Sequence, residues 1–507
     1  MRFPKLCVSV GSSILLMIPG TIYGASTSFT NHTHSCVYNC GGAPNLYRHA
    51  DMNNDGREDL VFAYHPYMGD NGAFYVELSN GDGTYGGYTA YGIPQGTDGT
   101  TTISDLTVGD FNNDGKPDVA VFGSDNNLYL FLNNGAGALT LGGTFSLSTS
   151  AAGYAQATAG DFNHDNLTDL AFVQSGRLTI WFGNGKGGFT PGPSMGVNGT
   201  APVLGDFDGD GKADLLLADT ANQNVAYVLY GDGTGNFPQT ATVTMPSGAA
   251  NFSAADVNSD GLTDVVGVQI GTPVKNLSVF YGQASRTFAT RKTITTARCP
   301  FGPATAADLD GNGVNDLIIP EADCSDGSTY GARYIDVITR NTNGTYNGDQ
   351  TIYTSPAVTG SYAPYYEIAS APTVLRGDLN TKPDVFFSTC QDDHCFAYQE
   401  TTLLNTTSGG FPSCSAPTGT KGVNVCSPTS AVASPVAFSV GASGSVIMRD
   451  VEVWVDGIKK AEQIDGFSNY TFLNKSVSLS AGSHNVAIYA AGWDQSTIKK
   501  LFTLTVK

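Results

Sequence analysis

Positive charge is scarce in this chain. Its 507 residues hold 25 Lys and Arg against 45 Asp and Glu, a formal net charge of −20. No basic patch gathers the few cations, and nucleic acid is excluded as a partner on that ground. Histidine is equally thin. The 7 histidines form no His-x-x-x-His pair and no zinc set with the cysteines. Beyond residues 6–18 there is no second long apolar run, so no membrane insertion is expected of the mature form. Several glycine-rich turns occur, but no Gly-Lys-Ser/Thr follows them, and a phosphate-cradling loop is excluded.

What the chain has instead is one short phrase, repeated. In its clearest copy it reads Asp110-Phe-Asn112-Asn-Asp114-Gly115-Lys116-Pro-Asp118 and runs into an apolar stretch at 119–122. Oxygen side chains stand at positions 1, 3, 5 and 9, with glycine at 6. That alternation suits a hard cation taking six to eight oxygens, and calcium is the expected occupant. Six copies carry the full set. They are Asp51, Asn53, Asp55 and Asp59; Asp110, Asn112, Asp114 and Asp118; Asp161, Asn163, Asp165 and Asp169; Asp206, Asp208, Asp210 and Asp214; Asp256, Asn258, Asp260 and Asp264; and Asp308, Asp310, Asn312 and Asp316. Position 7, occupied by Arg57, Lys116, Leu167, Lys212, Leu262 and Val314, is expected to offer only its backbone carbonyl, leaving the side chain free to vary. In the third copy Asn166 fills the glycine slot, where asparagine also tolerates a left-handed backbone. A seventh copy, read from Asp378 to Asp384, is two residues short, lacks the acid and the glycine, and is expected to bind calcium poorly. Six calcium ions would cut the charge from −20 to roughly −8.

An EF-hand would need a bidentate glutamate at position 12 between helices. Position 12 here is Phe62, Val121, Phe172, Leu217, Gly267 or Ile319. The flanks are short apolar runs between glycine-rich turns, which read as buried strands. The starts fall 59, 51, 45, 50, 52 and 70 residues apart, and a period near fifty indicates a propeller or solenoid. One unit reads as strands at 101–108, 119–122, 128–133 and 139–145, one antiparallel blade. A second signal is a glycine turn that usually ends in an aromatic, as in Phe182-Gly-Asn-Gly-Lys-Gly-Gly-Phe189 and Tyr230-Gly-Asp-Gly-Thr-Gly-Asn-Phe237. Those aromatics are expected to pack between neighbouring blades.

Together the acidic loop and the Phe-Gly-x-Gly-x-Gly-x-Phe turn resemble the FG-GAP (VCBS-type) repeats of integrin α subunits, some fungal lectins and many secreted bacterial proteins. The resemblance covers residues 46–410. It implies an all-β, seven-bladed propeller of four-stranded antiparallel blades with calcium in the six full loops. It does not imply an activity, because a propeller hosts many functions.

The ends differ from the repeats. Arg2, Lys5, the apolar stretch and Gly24-Ala25-Ser26 form a signal-peptide pattern over 1–25. Residues 26–45 are polar and expected to be mostly irregular, with a possible closing edge strand. Residues 411–424 read as a linker. Residues 425–507 show five short β runs and resemble a bacterial Ig-like sandwich. Trp454 is expected to face outward there, packing at an edge. Without Cys7, eight cysteines remain in a chain expected to be exported, where disulfides form. Proximity favours Cys36–Cys40, Cys299–Cys324, Cys390–Cys395 and Cys414–Cys426, although Cys36 or Cys40 could instead reach Cys390 or Cys395.

Candidate chemistry is sparse. Gly192-Pro-Ser194-Met-Gly196 has the letters of a nucleophile elbow, but a loop between blades is expected. Cys390 to Cys395, with Asp392, Asp393 and His394 between them, reads as a disulfide tip. Arg376-Gly377-Asp378 spells an integrin-binding tripeptide, yet Gly-Asp precedes other copies too, at Gly205-Asp206 and Gly109-Asp110. The expectation is a secreted or surface binding module, not an enzyme, for an extracellular glycan or protein. The alternatives are a polysaccharide lyase, needing a basic residue among acids on one face, and a passive spacer.

Overall fold

The computed structural model describes residues 8–9, 27–36, 44–64, 72–94, 101–147, 154–246, 250–269, 274–288, 290–324, 332–355, 368, 370–378, 382–390, 398–407, 421–428, 431–432, 434, 436–444, 448–464, 470–492 and 497–507. Strand is the only regular element among them. The first six blades are antiparallel sheets in strict sequence order. Blade 1 is Pro44–Ala50, Asp59–Tyr64, Ala73–Glu77 and Thr89–Gly92. Blade 2 is Ile103–Gly109, Asp118–Gly123, Asn127–Asn133 and Leu139–Ser146, each within two residues of the strand expected. Blade 3 runs from Gln156–Gly160 to Phe189–Gly196, blade 4 from Gly199–Gly205 to Gln239–Thr244 and blade 5 from Ala250–Ala255 to Arg291–Thr295. Blade 6 ends at Tyr346–Thr354. Its inner strand is split into Cys299–Pro300 and Thr305–Ala307, both paired with Asp316–Ala322.

Blade 7 is completed from the other end of the chain. Thr373–Leu375, Asp384–Cys390 and Tyr398–Asn405 supply three strands, and Phe29–Cys36 supplies the fourth. All eight residues of Phe29–Cys36 pair with Tyr398–Asn405. The possible closing edge strand of residues 26–45 is therefore Phe29–Cys36, which completes blade 7 and closes the ring. Val8 and Ser9 pair along its outer edge; the rest of the signal-peptide pattern lies outside the described residues.

Why a ring forms is visible in the second strand of each blade. Asp118–Gly123 is buried at all six positions, so its alternating side chains must be covered on both faces. Each face meets a neighbouring blade. Val119 and Val121 pack with Val61, Val76 and Phe74 of blade 1, while Ala120 and Phe122 pack with Leu170 and Phe172 of blade 3. Five further clusters fill the remaining interfaces, the last joining Leu60 and Phe62 of blade 1 to Leu375 and Phe386 of blade 7. The core is thus seven apolar wedges, and an open end would expose one of them.

Gly192–Gly196 is not the loop expected. It lies in the outer strand of blade 3, with Ser194 Oγ accepting from Arg177 Nη1 at 2.7 Å. No strand-to-helix elbow exists there. Cys299 and Cys324 are joined, bracketing the sixth loop as expected. Cys426 is also in a disulfide; Cys40, Cys395 and Cys414 lie outside the described residues, as does the Asp392 to His394 cluster.

After the propeller come two packed sheets. Gly422–Ser427, Val436–Ser443 and Tyr470–Val477 form one; Ile458–Ile464, Met448–Val455, Gly482–Gly492 and Thr497–Val506 form the other. Gly422–Ser427 begins inside the stretch read as linker. Val436, Phe438, Val440, Val451, Val453 and Ile488 are among the buried residues between the sheets. Trp454 faces away from that core. Its Nε1 donates to Glu452 Oε2 at 2.6 Å, and its ring meets Tyr489 edge-on at 6.0 Å.

Candidate metal centres

Each full loop joins the first strand of a blade to the second, and its own hydrogen bonds hold it in shape. The position-1 aspartate takes two backbone N–H groups on its two oxygens. Asp55 and Gly56 donate to Asp51 at 2.9 and 2.8 Å; Asp114 and Gly115 donate to Asp110 at 3.1 and 2.8 Å. Asp161, Asp256 and Asp308 repeat the pattern. In the fourth loop Gly209 and Gly211 are the donors to Asp206. The position-3 oxygen accepts from the N–H of position 5 in all six loops, on Asn53, Asn112, Asn163, Asp208, Asn258 and Asp310. The position-5 oxygen of Asp55, Asp114, Asp165, Asp210, Asp260 and Asn312 then accepts from the N–H of position 7. These nested turns require left-handed backbone at position 6. Gly115 has φ 81° and Asn166 has φ 63°, so asparagine fills the glycine slot as expected.

The arrangement concentrates acid. One oxygen each of Asp206, Asp208 and Asp210 lies within 4.8 Å of the others, and the same holds for Asp308, Asp310 and Asp316. Burial, partly offset by the backbone donors, pushes Asp51 up to about 6 and Asp308 to about 7. Buried carboxylates crowded in this way favour a proton or a metal ion. The donors are all oxygen, at side-chain positions 1, 3, 5 and 9, and these clusters can bind a metal.

Position 9 has a second job. Both oxygens of every position-9 aspartate are occupied by backbone N–H groups. Asp118 Oδ2 accepts from Phe111 at 3.1 Å and Oδ1 from Asn133 at 2.8 Å. Asp59, Asp169, Asp214, Asp264 and Asp316 do the same. One donor is always position 2 of the loop; the other opens the glycine turn between the third and fourth strands. The carboxylate therefore rivets loop to turn at the fully buried start of the second strand. Burial first, then neighbouring aspartates among other contacts, push Asp59, Asp118, Asp264 and Asp316 up to about 8 and Asp169 and Asp214 to about 7.

Position 7 varies in side chain, and in three loops that side chain is basic. These three fold back onto position 5: Arg57 on Asp55 at 3.1 Å, Lys116 on Asp114 at 3.1 Å and Lys212 on Asp210 at 2.9 Å. Pairs this exposed are worth about 0–1 kcal/mol. Arg286, from the turn of blade 5, reaches the fourth loop and bonds Asp208 at 2.5 Å and Asp210 at 3.2 Å. Lys475, from the C-terminal sheets, lies 3.9 Å from Asp256.

The seventh copy has a different frame from the one read in sequence. Asp384 accepts from Gly377 and from Asn405, both at 2.8 Å. Gly377 is thus position 2, Arg376 is position 1 and Asp378 is position 3. The loop is not short: Arg376 to Asp384 has the same nine residues as Asp110 to Asp118. Neighbouring contacts agree. Position 8 of the next blade donates to the position-1 carbonyl, the Thr263 N–H to Asp206 and the Asn315 side-chain amide to Asp256, and the Glu58 N–H donates to the Arg376 carbonyl at 3.0 Å. An arginine therefore stands where the first aspartate should be, and the integrin-like tripeptide is positions 1 to 3 of a repeat.

Position 2 escaped the sequence reading, although the signal was there. Met52, Phe111, Phe162, Phe207, Val257 and Leu309 are all apolar and all buried. In the first three loops the position-2 carbonyl accepts from the glycine turn of the next blade, at Gly137, Gly187 and Gly235. The turn aromatics pack across the same boundaries as expected: Phe189 on Phe111, Phe237 on Phe162 and Tyr85 on Phe386. Blade 5 adds Phe288 on Phe207.

Residues 51–121, 110–172, 161–217 and 206–267 match the FG-GAP-like repeat family. The chain carries FG-GAP-like repeats. Among curated proteins, Protein linkin of Caenorhabditis elegans is 30% identical over 128 residues, which is 21% of this chain and 21% of that protein. The chain thus spans about a fifth of the length of the curated relative it matches. Among solved structures, the BP39L lectin of Burkholderia pseudomallei gives a TM-score of 0.47 at 16% identity, covering 75% of this chain and 100% of that one. An Agrocybe aegerita lectin, solved for its recognition of non-reducing terminal N-acetylglucosamine, gives 0.41 at 18%, covering 61% and 80%. The FG-GAP-like loops and turns matched in the first four units are those that carry the clamps and nested turns above.

Proposed function

We propose that this is an exported propeller stabilised by calcium in its six full loops, which serves as a binding or adhesion module for an extracellular glycan or protein and is not an enzyme. The observation that carries the reading is the loop geometry. Six loops, five of them within the stretch that matches FG-GAP-like repeats, hold all-oxygen donor sets in one repeated, internally hydrogen-bonded shape. The carboxylates are already crowded, so an ion would relieve repulsion with little rearrangement. Each loop would take the ion through its side chains at positions 1, 3, 5 and 9 and the carbonyl at position 7. In that role calcium is structural: it holds the loops that tie neighbouring blades and so keeps the surface of the ring in register for a ligand.

Extracellular calcium modules bind at about 10⁻⁴–10⁻³ M. At 1 mM calcium that corresponds to about 0.4–1.4 kcal/mol per loop, or roughly 2–8 kcal/mol over six. Full-length protein screened on a glycan array, and melted, with calcium and with EDTA tests both halves of the reading. Calcium-dependent glycan binding and a lower Tm in EDTA are expected. An unchanged Tm removes the structural role of calcium; no glycan binding in either state shifts the ligand to protein.

A further inference from the structure

A second group of acids lies in blade 6, away from the repeat loop. Glu321 is near the end of the strand Asp316–Ala322, Asp336 is near the start of Tyr334–Arg340, and Asp349 is in Tyr346–Thr354. Side chains two apart share a face of a strand. Glu321 therefore lies on the face of Leu317 and Ile319, and Asp336 on the face of Ile338, all turned toward blade 5. One oxygen each of Glu321, Asp336 and Asp349 lies within 4.8 Å of the other two. Two ligands 2.3–2.6 Å from one calcium-sized ion can stand no more than about 5 Å apart, so the spacing fits a shared ion.

Glu321 and Asp336 are fully buried. Neither Glu321 oxygen nor Asp336 Oδ1 accepts a hydrogen bond of good geometry; the polar groups beside Glu321 are the Asp336 carboxyl and the Arg298 N–H. Buried carboxylate oxygens left in this state are costly. Among the described residues the one cation facing the group is Arg298, whose Nη1 donates to Asp336 Oδ2 at 2.6 Å and to Thr351 Oγ1 at 2.9 Å. Its guanidinium also lies over the Tyr334 ring at 4.0 Å. Asp349 takes the Ala297 N–H. Three carboxylates against one guanidinium leave two negative charges, the deficit one divalent ion would supply.

Blade 6 is built for this group in ways the other blades are not. The residue matching Glu321, five after the position-9 aspartate, is Tyr64, Gly123, Gln174, Asp219, Gln269 and Thr389 in the other blades. Only Asp219 is acidic there, and it is satisfied by Tyr227, Ala221 and Asn222. The split inner strand sets Pro300 opposite Glu321, and the Cys299–Cys324 disulfide ties that fragment down beside Arg298. Five residues of strand, about 17 Å, separate Glu321 from Asp316 of the sixth loop, so the two places cannot share an ion.

We propose that Glu321, Asp336 and Asp349 form a separate site for an oxygen-coordinated divalent cation of the calcium or manganese class. Glu321 and Asp336 Oδ1 supply the buried ligands, Asp349 the ligand nearest solvent, and Arg298 fixes Asp336 through its other oxygen. The ion would tie the second, third and fourth strands of blade 6 together at the end remote from the repeat loop.

The test is a crystal of the full chain grown with manganese, read by anomalous difference density, beside counts of manganese bound per chain in solution. A peak among the three carboxylates is expected, and Glu321→Gln, nearly isosteric, should remove it and lower the count by one while leaving the loop peaks in place. Asp349→Asn, at the half-buried edge, gives the same count if the first variant folds poorly. A map with no peak between the carboxylates overturns the proposal, whatever the loops hold. So does a count that neither variant changes.

Discussion

Blade 2 and blade 7 have loops of the same length and the same rivet, but different contents. In blade 2, Asp110, Asn112 and Asp114 each accept backbone N–H groups of their own loop, and Asp118 joins loop to turn. In blade 7 the first position is Arg376, yet Asp384 still bonds position 2 and the glycine-turn residue at 2.8 Å each. The clamp and the cage are therefore separable. The clamp is what each blade needs, because it satisfies two buried backbone donors at the point where the second strand enters the core. The cage is an addition that six blades have and one lacks. Arg376 puts a fixed cation where the others hold a cluster of acids, and reciprocal bonds between Glu58 and Arg376, at 3.0 and 2.7 Å, tie that loop to blade 1.

The comparison can be broken by cutting the clamp on both sides of it. Asp384→Ala should cost about 2–5 kcal/mol, from two orphaned buried N–H groups and a small cavity. The cost, read from denaturant unfolding, should be the same in calcium and in EDTA. Asp118→Ala should match it in EDTA and exceed it in calcium. Equal costs under both conditions for both variants would show that position 9 is no metal ligand.

A smaller effect runs the other way. The combined change Arg376→Asp, Asn380→Asp and Thr381→Gly gives blade 7 the side chains of blade 2 at positions 1, 5 and 6. It should raise the calcium bound per chain by one, adding about 0.4–1.4 kcal/mol at 1 mM calcium. Calorimetric titration counts the ions; an unchanged count would mean that the seventh loop is shaped by its neighbours rather than by its own residues.

The smallest effect lies outside the blades. His484 Nδ1 is 2.7 Å from Asp456 Oδ2, and that hydrogen bond first, then the Ser480 carbonyl, raises the imidazole above 6.5. A raised folded pKa means stability that is present below the unfolded value and lost as pH rises through the folded one. The C-terminal sheets should therefore weaken slightly from pH 6 upward, equally with calcium or EDTA, and His484→Gln should flatten that slope. Following the His484 ring resonances with pH reads the pKa directly.

The loops were legible in sequence because their parts are local. All the oxygen side chains of a full loop fall within nine residues, so position alone brings them together. Strand existence was legible for a similar reason: runs such as 119–122 are too apolar and too short to be anything but buried strand. The seventh copy was misread because Asp378-Leu-Asn380 imitates the opening of the phrase. Its true frame is fixed by Gly377 bonding Asp384, a contact that no run of letters displays. Position 2 lies outside the oxygen pattern, and its signal is the apolar residue it holds in all six full loops.

By itself the sequence determined the repeat, the nine-residue loops and the turns, since each is governed by neighbours in the chain and by backbone sterics. Only the tertiary structure decided how the ring closes, which depends on Phe29–Cys36 finding Tyr398–Asn405 across most of the chain. It alone gathered Arg298, Glu321, Asp336 and Asp349 into one buried group. Both outcomes come from pairing strands that are distant in sequence, and that pairing is set by which faces must be covered to exclude water.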